Sequence, residues 1–413
     1  MASSEITLEA VSSVSQIPAE DWDACANPAS APDTLDGLDT LASPSDYCSN
    51  LISHYNPFVS HTFFSSLEGS GSACARTGWG PRHLLARLEG TIAGIVPCYL
   101  KSHSQGEYVF DRGWADAYER AGGRYYPKLQ ASVPFTPAAG PRLLIRGRAD
   151  HERIATALAS GLVALCGVSK ASSVHVTFAR EAEWKLLAAH GFLQRTDQQF
   201  HWHNQGYGSF EDFLATLNSR HRKAIRRERR EALAEGITIH PLTGSDVTED
   251  AWNAFFAFYM ETGSRKWGRP YLTRAFFSLI GESMAKDVLL VMARRNGRWI
   301  AGAINFIGSD SLFGRNWGAI EHHPFLHFEV CYYQAIDFAI RRGLKTVEAG
   351  AQGEHKIARG YLPQTTYSAH YIADPDLRRA ISDYLRHERA YVADAARELT
   401  DAGPFRKTAD EPF

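Results

Sequence analysis

Two segments of this 413-residue chain carry one pattern that few folds satisfy: an apolar run, a tight turn, and a second apolar run holding an Ala-Gly pair. The first is His83-Leu84-Leu85-Ala86-Arg87-Leu88, then Glu89-Gly90, then Ile92-Ala93-Gly94-Ile95-Val96-Pro97-Cys98-Tyr99-Leu100. The second is Val288-Leu289-Leu290-Val291-Met292-Ala293-Arg294, then Asn296-Gly297, then Trp299-Ile300-Ala301-Gly302-Ala303-Ile304-Asn305-Phe306. Short apolar runs between turn signals read as strands, and Asn-Gly supplies the backbone geometry that a two-residue hairpin turn needs. Each hairpin is followed by a loop, a long helix and a short buried strand. In the first half these are a helix over about 150–166 and a strand over 173–178. In the second they are a helix over about 328–342, closed by Gly343, and a strand over 346–349. The chain is too long for one ordinary core, and a duplicated α/β unit with a mixed sheet accounts for its order.

The remaining punctuation fills in the rest. Strands are expected over 192–203, 237–241 and 311–317, helices over 181–190, 252–265 and 273–284, and an amphipathic helix over 375–399. Residues 107–141, rich in Gly, Tyr and Pro, read as a long loop with one short strand. The Ala/Ser/Pro/Asp-rich stretch at 27–50 reads as an inserted loop. The expected organisation is a first domain at 1–205, a second at 206–374 carrying the cleft, and a helical tail at 375–413.

Composition excludes several classes. A formal net charge of −2 gives the chain as a whole no attraction for DNA or anionic membrane, so a polyanion needs a local patch. No signal peptide is apparent at the start, and the most apolar stretch, 154–168, is too short to cross a bilayer. The six cysteines show no CxxC or other metal spacing, which suits the reducing cytoplasm and no metal.

Several long polar blocks point to a family. They include Asn56-Pro57-Phe58-Val59-Ser60-His61, the run from Tyr99 through Lys101-Ser102-His103-Ser104-Gln105-Gly106-Glu107-Tyr108 to Asp111, and Trp114-Ala115-Asp116-Ala117-Tyr118-Glu119-Arg120. Two more are Leu326-His327-Phe328-Glu329-Val330-Cys331-Tyr332-Tyr333-Gln334 and Glu348-Ala349-Gly350-Ala351-Gln352-Gly353-Glu354-His355-Lys356-Ile357-Ala358-Arg359-Gly360-Tyr361. With these, the chain beyond residue 55 resembles the FemAB-like predicted N-acyltransferases of the peptidoglycan biosynthesis/recognition type. The order of elements is similar to the GNAT acyltransferase fold in the tandem, Fem-type form. The resemblance implies an α/β fold built from two GNAT-like halves, and amide formation on a small-molecule amine acceptor.

Acyl transfer to an amine requires loss of an amine proton, polarisation of a carbonyl, and a cleft that excludes water. In the GNAT fold, backbone amides polarise the carbonyl where two central strands part. Flanking that place here are Trp317 at a strand end, the acid Glu348 at the mouth of a buried strand, and Glu354 and His355 in the loop after it. A histidine side chain ordinarily titrates near neutrality, so His355 is a candidate base, with Glu348 and Glu354 as catalytic partners; the plainer role for Glu348 is pairing with an arginine or with backbone amides. Lys356 and Arg359, three residues apart, are expected on one helical face, suited to an anion or simply to solvent. His327, Glu329, Trp317 and Tyr332 are expected to line the pocket at a helix N-terminus. His322, His323, His327 and Glu329 lack the geometry of a metal site, because Pro324 interrupts the helix and His327 and Glu329 diverge.

The run Arg220-His221-Arg222-Lys223-Ala224-Ile225-Arg226-Arg227-Glu228-Arg229-Arg230 is either a solvated helix face or a phosphate-facing one, with Arg222 and Arg226 as its candidate contacts. Fem-type enzymes, by resemblance, place a basic helix against substrate or tRNA phosphates. No pyrophosphate-binding Arg/Gln-x-x-Gly-x-Gly/Ala occurs between Gly318 and Tyr332. That favours aminoacyl-tRNA or another non-standard donor over acyl-CoA, with no tightly bound cofactor. The rivals are an acyl-CoA-dependent N-acyltransferase and an inactive double-GNAT protein that recognises a cell-wall precursor or nucleotide-linked ligand.

Overall fold

The computed structural model describes residues 5–28, 55–147, 149–267, 270–351 and 353–406, without the side chains of 265–267 and Glu354. Most of the expected inserted loop at 27–50, and the tail beyond 406, lie outside the described residues.

Fifteen strands run through the described residues: β1 (Ile6–Val11), β2 (Trp79–Pro81), β3 (His83–Leu88), β4 (Thr91–Val96), β5 (Cys98–Lys101), β6 (Lys128–Ala131), β7 (Leu144–Ile145), β8 (Ser173–Ala179), β9 (Leu193–His203), β10 (Thr238–Thr243), β11 (Val288–Arg295), β12 (Arg298–Ile307), β13 (Ser311–Ala319), β14 (Thr346–Glu348) and β15 (Leu362–Ile372). They form a four-stranded sheet, β1-β3-β4-β7, and an eleven-stranded sheet, β10-β11-β12-β13-β14-β9-β15-β8-β6-β5-β2. Both expected hairpins are present, and Asn296 and Gly297 take φ +48 and +77, as a primed two-residue turn demands. The second strand of the first hairpin is two strands rather than one. Pro97, which has no N–H to donate, breaks it, so β4 joins the small sheet and β5 the large one.

The duplication shows in the two parallel pairs of the large sheet. β13 runs parallel to β14, and β6 parallel to β8. The strand that follows each unit crosses to the other one: β9 pairs with β14 of the second half, and β15 pairs with β8 of the first. β9 and β15 then pair with each other along Leu362↔His201 to His370↔Leu193, which welds the halves into one sheet. The chain therefore has the mixed α/β fold of two GNAT-like halves. The sequence left β1 and β15 unassigned, because β15 mixes Thr, Gln, Ser and His with few aliphatics and β1 shows four exposed residues.

Apolar burial also crosses between the halves. Phe58 meets Phe306 and Phe313 at 4.9 and 5.2 Å between ring centroids, and Phe63 meets Phe276 at 5.7 Å. A second cluster lies under the helix Gln334–Arg342 and β12–β14, and a third under the helix His151–Val168. No helix among the described residues is long and apolar enough to cross a membrane.

The first half holds a buried polar cluster built by the Lys101–Asp111 block. Lys128 Nζ donates to Asp111 at 2.5 Å and to Ser104 at 2.8 Å, and lies 3.3 Å from Glu107. Lys101 Nζ stands 3.6 Å from Glu107 and over the Trp79 ring. His175 and His370 share a hydrogen bond between their Nδ1 atoms at 2.8 Å. Where the sequence suggested mostly loop, Arg112–Arg120 is a helix packed beside this cluster through Trp114, whose ring lies 5.0 Å from that of His370.

Candidate active site

β13 and β14 are paired over three residues only, Ser311↔Thr346, Leu312↔Val347 and Phe313↔Glu348. Beyond Glu348 the chain leaves β13 and follows β9, with Ala349 N donating to Phe200 O and Phe200 N to Gly350 O. β13 continues without that neighbour, and it bulges: Asn305 faces Gly314 while Ala303 faces Trp317, so Arg315 and Asn316 together oppose Ile304. The result is a strand edge parted from its partner in the middle of a sheet, with side chains re-aimed by the bulge. Gly314 lies at the apex, where a Cβ would come 3.1 Å from Glu348 O and 3.4 Å from Asn305 Oδ1. Any side chain there would close the gap.

Glu348 is the last paired residue before the strands part. Burial pushes its carboxyl up to about 8, against the opposing pull of Arg315, the Ala139 backbone and Arg142. Its nearest basic side chain is His201 on β9, with Nε2 4.0 Å from Glu348 Oε2. Burial, with His203 and Lys356 nearby, holds His201 down at about 3, so that imidazole is neutral. Arg315 is fixed by a 3.0 Å hydrogen bond from Nη2 to Phe135 O, a carbonyl from the first half. Phe135 itself has φ +58, a strained setting for an aromatic residue, and it interlocks with the Lys101–Asp111 block through Phe135 N→Gly106 O at 3.2 Å. A carboxyl that titrates near neutrality beside an open strand edge is equipped to take a proton from an amine.

The other face of the parting holds an aromatic groove. Trp317 lies 5.2 Å from His327, and His327 lies 5.3 Å from Tyr332, between ring centroids. The Tyr332 hydroxyl and His355 Nε2 are hydrogen-bonded at 3.0 Å. A small cavity of about 80 Å³ at the parting is lined by Gly314, Arg315, Trp317, His327, Tyr332 and Ala349. It neighbours a larger one of about 450 Å³, which Trp317 and His327 also line. The expected regular helix over 328–342 is instead α at Leu326–Phe328, a π turn at Glu329–Tyr333, and α again at Gln334–Arg342.

Other expected residues have different surroundings. Glu329 does not line the groove: it is fully buried and gripped by Arg229 (3.0 and 3.1 Å) and Gln334 (2.8 Å). Lys356 and Arg359 are buried rather than aimed together at one external spot. Lys356 Nζ donates to the carbonyls of Ala349 and Gly350 at 2.5 and 3.1 Å, fastening the loop that leaves β14. Arg359 pairs with Glu228 at 2.8 Å, donates to His355 O at 2.6 Å and covers the Phe328 ring at 3.5 Å. The Glu354 side chain lies outside the described residues. Arg222 and Arg226 are on the helix Ser219–Ala232, half-buried and exposed respectively, with Arg226 paired to Glu211. Glu228 of that helix accepts from Tyr333 and Arg359, and Arg227 lies over Phe325 at 5.9 Å, so the basic helix is bolted to the rim of the groove.

Arg315, His201 and Arg142 were not singled out in the sequence. Each lies in a strand or loop with no motif of its own, and only the crossing of β9 between halves brings His201 to Glu348. The fully buried Arg142 guanidinium donates to Thr177 O, Pro141 O and Ala138 O beside the parallel pair β6 and β8.

No group of three or more His, Cys, Asp or Glu side chains among the described residues is placed to hold a metal ion. Nor does the turn between β13 and the π-containing helix fit a CoA pyrophosphate. Glu321, His322, His323 and Phe325 bound the 450 Å³ cavity there, in place of the glycines whose amides would hold phosphate.

Compared with known proteins, residues 13–407 match the FemAB-like family model, described as peptidoglycan biosynthesis/recognition. Among curated proteins, none matches in sequence. Similar solved structures include FemX, at 12% identity and TM-score 0.49, covering 78% of this chain and 93% of that one. A tandem GNAT protein from the clavulanic acid biosynthesis pathway shows 11% identity and TM-score 0.45, covering 90% and 99%. L-PGS from Bacillus licheniformis shows 9% identity and TM-score 0.47, covering 80% and 98%. At such identities and scores these likenesses say nothing of reaction or substrate.

Proposed function

Because the chain belongs to the FemAB-like family of peptidoglycan biosynthesis/recognition, we propose that it is a transferase that forms an amide on an amine acceptor at the parting of β13 and β14. The observation that carries this reading is a coincidence of place. The parallel pairing ends at Phe313↔Glu348, so the carboxyl held near neutrality and the unpaired strand edge meet at one point.

The donor carbonyl enters the gap from the groove of Trp317 and Tyr332, where amides of the β13 edge polarise it. The acceptor nitrogen attacks that carbon and a C–N bond forms. Glu348 takes the nitrogen's proton, and the C–O or C–S bond to the leaving group breaks. His355 and Tyr332 lie on the donor face, where a proton returned to the leaving oxygen or sulfur completes the step. The base is thus assigned to Glu348, and His355 takes the donor-side role. His355→Ala should lower kcat roughly 10²-fold, the lower end for a positioned proton-transfer group, with little loss of fold because the side chain is exposed. Near-normal turnover with an unchanged pH profile would mean that the substrate's own groups move this proton.

The donor reading is aminoacyl-tRNA, supported by the misfit of the turn at 319–326 to a CoA pyrophosphate and by the basic helix at the groove rim. Arg220, Arg222, Lys223 and Arg230 of that helix form no ion pair with a described residue, which leaves them free to neutralise phosphates. Paired reversals Arg222→Glu and Arg226→Glu should weaken tRNA binding, measured by filter retention, by about tenfold or more. Affinity of the unaltered protein should fall steeply with salt. Tight binding of CoA that ignores salt and both reversals decides for an acyl-CoA donor instead.

A further inference from the structure

On the face of the sheet opposite the Trp317–Tyr332 groove, a cavity of about 460 Å³ opens between the two halves, and Glu348 forms part of its lining. We propose that this cavity is the acceptor pocket, and that it takes a small amine that also carries an anionic group, with the ammonium directed to Glu348 and the anion to Arg180. This rests on the assignment of Glu348 as the base.

Size sets the first limit. A cavity of this volume holds a small molecule or the end of a larger one, of the order of a dipeptide, and not a folded partner. Its two walls differ in chemistry. The strands β9, β13 and β14 contribute His201, His203, Ser311 and Thr346, while β7 and the residue before it contribute Ile145 and Leu143. An acceptor with an aliphatic portion and a polar, hydrogen-bonding portion matches both.

Charge sets the second limit. Burial holds the imidazoles of His201 and His203 below their ordinary value, so they stay neutral and do not repel an ammonium group beside Glu348. The acids on the far wall are already committed. Glu183 accepts from the backbone amides of Arg142 (2.9 Å), Leu143 (2.8 Å) and Arg180 (3.1 Å). Glu181 is paired with Lys185 at 2.8 Å. The Arg180 guanidinium, in contrast, forms no ion pair with a described residue, and it lines the same cavity as Glu348. A pocket with a proton-accepting carboxyl and a cation that acts on Glu183 at a distance but has no ion-pair partner among the described residues selects a ligand with the opposite pair. An amine bearing a carboxylate or phosphate is the simplest such compound.

The test is calorimetric titration of the full chain with L-alanyl-L-alanine, its C-terminal amide and its N-acetyl derivative. The free dipeptide should bind at least tenfold more tightly than either derivative. Arg180→Gln should erase the preference for the acid over the amide while keeping the preference for the free amine. Glu348→Gln should do the reverse. Thermal melts confirm that each variant is folded. Equal binding of acid and amide by the parent, no binding of the dipeptide, or preferences unmoved by either substitution overturns the proposal. Since binding is the readout, a transferase that works well on amines without an anion, undiminished by Arg180→Gln, would sink this pocket and leave the amide-forming reading intact.

Discussion

Glu348→Gln should lower kcat by roughly 10²–10⁴-fold, the usual worth of a positioned general base, while leaving the protein folded. In the parent, activity should climb with pH, pass its half-maximum near 8, where burial has placed this carboxyl, and level off above that, because only the ionised form accepts a proton. The variant should lack that limb. Stability gives an independent sign. A folded value raised from 4.5 to about 8 means that the native state holds a proton which the unfolded chain gives up. The stability Glu348 contributes is therefore complete below 4.5 and lost as pH rises through 8. Glutamine imitates the protonated acid at every pH. Parent and variant should melt together in acid, and the variant should gain by up to about 1.4 kcal/mol per pH unit between the two values. If Glu348 served only as an ionised partner of Arg315 and Arg142, the same substitution would lower the melting temperature at neutral pH and leave turnover nearly intact.

Much of this arrangement was legible in the sequence, and the reasons are local. The hairpin at Asn296-Gly297 depends on two residues and their flanking aliphatics, and so it could be read directly. The same holds for Gly343, which closes its helix at φ +66, and for the short strand that ends at Glu348. What could not be read depends on partners far along the chain. Pro97 in an apolar run looks like a strand interruption only once β4 and β5 are seen to join different sheets. The π turn places Glu329 within reach of Arg229, a hundred residues earlier, and no period in the sequence shows that need. Lys356 and Arg359 read as a cationic face because their spacing suits one; their acceptors are backbone carbonyls and Glu228, which carry no signal at that spacing. The Lys101–Asp111 block, among the residues that marked the family, lies away from the parting of β13 and β14 and reaches it only through Gly106, Phe135 and Arg315.

That block yields the other large effect. Lys128→Met should destabilise the protein by about 3–5 kcal/mol, the typical cost of leaving a buried charge without its partner. Lys128 is 1% exposed and Asp111 2% exposed, and methionine can occupy the space of the lysine stem but cannot supply the ammonium. Asp111 would keep its hydrogen bond from Tyr125 at 2.8 Å, and Glu107 would keep Lys101 at 3.6 Å, so the loss should fall chiefly on Asp111. The pH dependence identifies it. With Lys128 present, the Asp111 carboxyl is held well below its ordinary value, so its stabilisation is complete above 3.8 and lost as pH falls below that. Without Lys128, burial still pushes Asp111 up while only His175 and Ser104 remain to pull it down, so the carboxyl moves upward. The deficit of Lys128→Met, measured by chemical denaturation, should then be largest at neutral pH and shrink in acid. The double variant with Asp111→Asn should recover part of it, because an amide costs less to bury than an unpaired carboxylate. Loss of stability should also reach the cleft, since Gly106 of this block holds Phe135, and the Phe135 carbonyl holds Arg315 at 3.0 Å. A Lys128→Met protein as stable as the parent but devoid of turnover would instead make the cluster part of the chemistry.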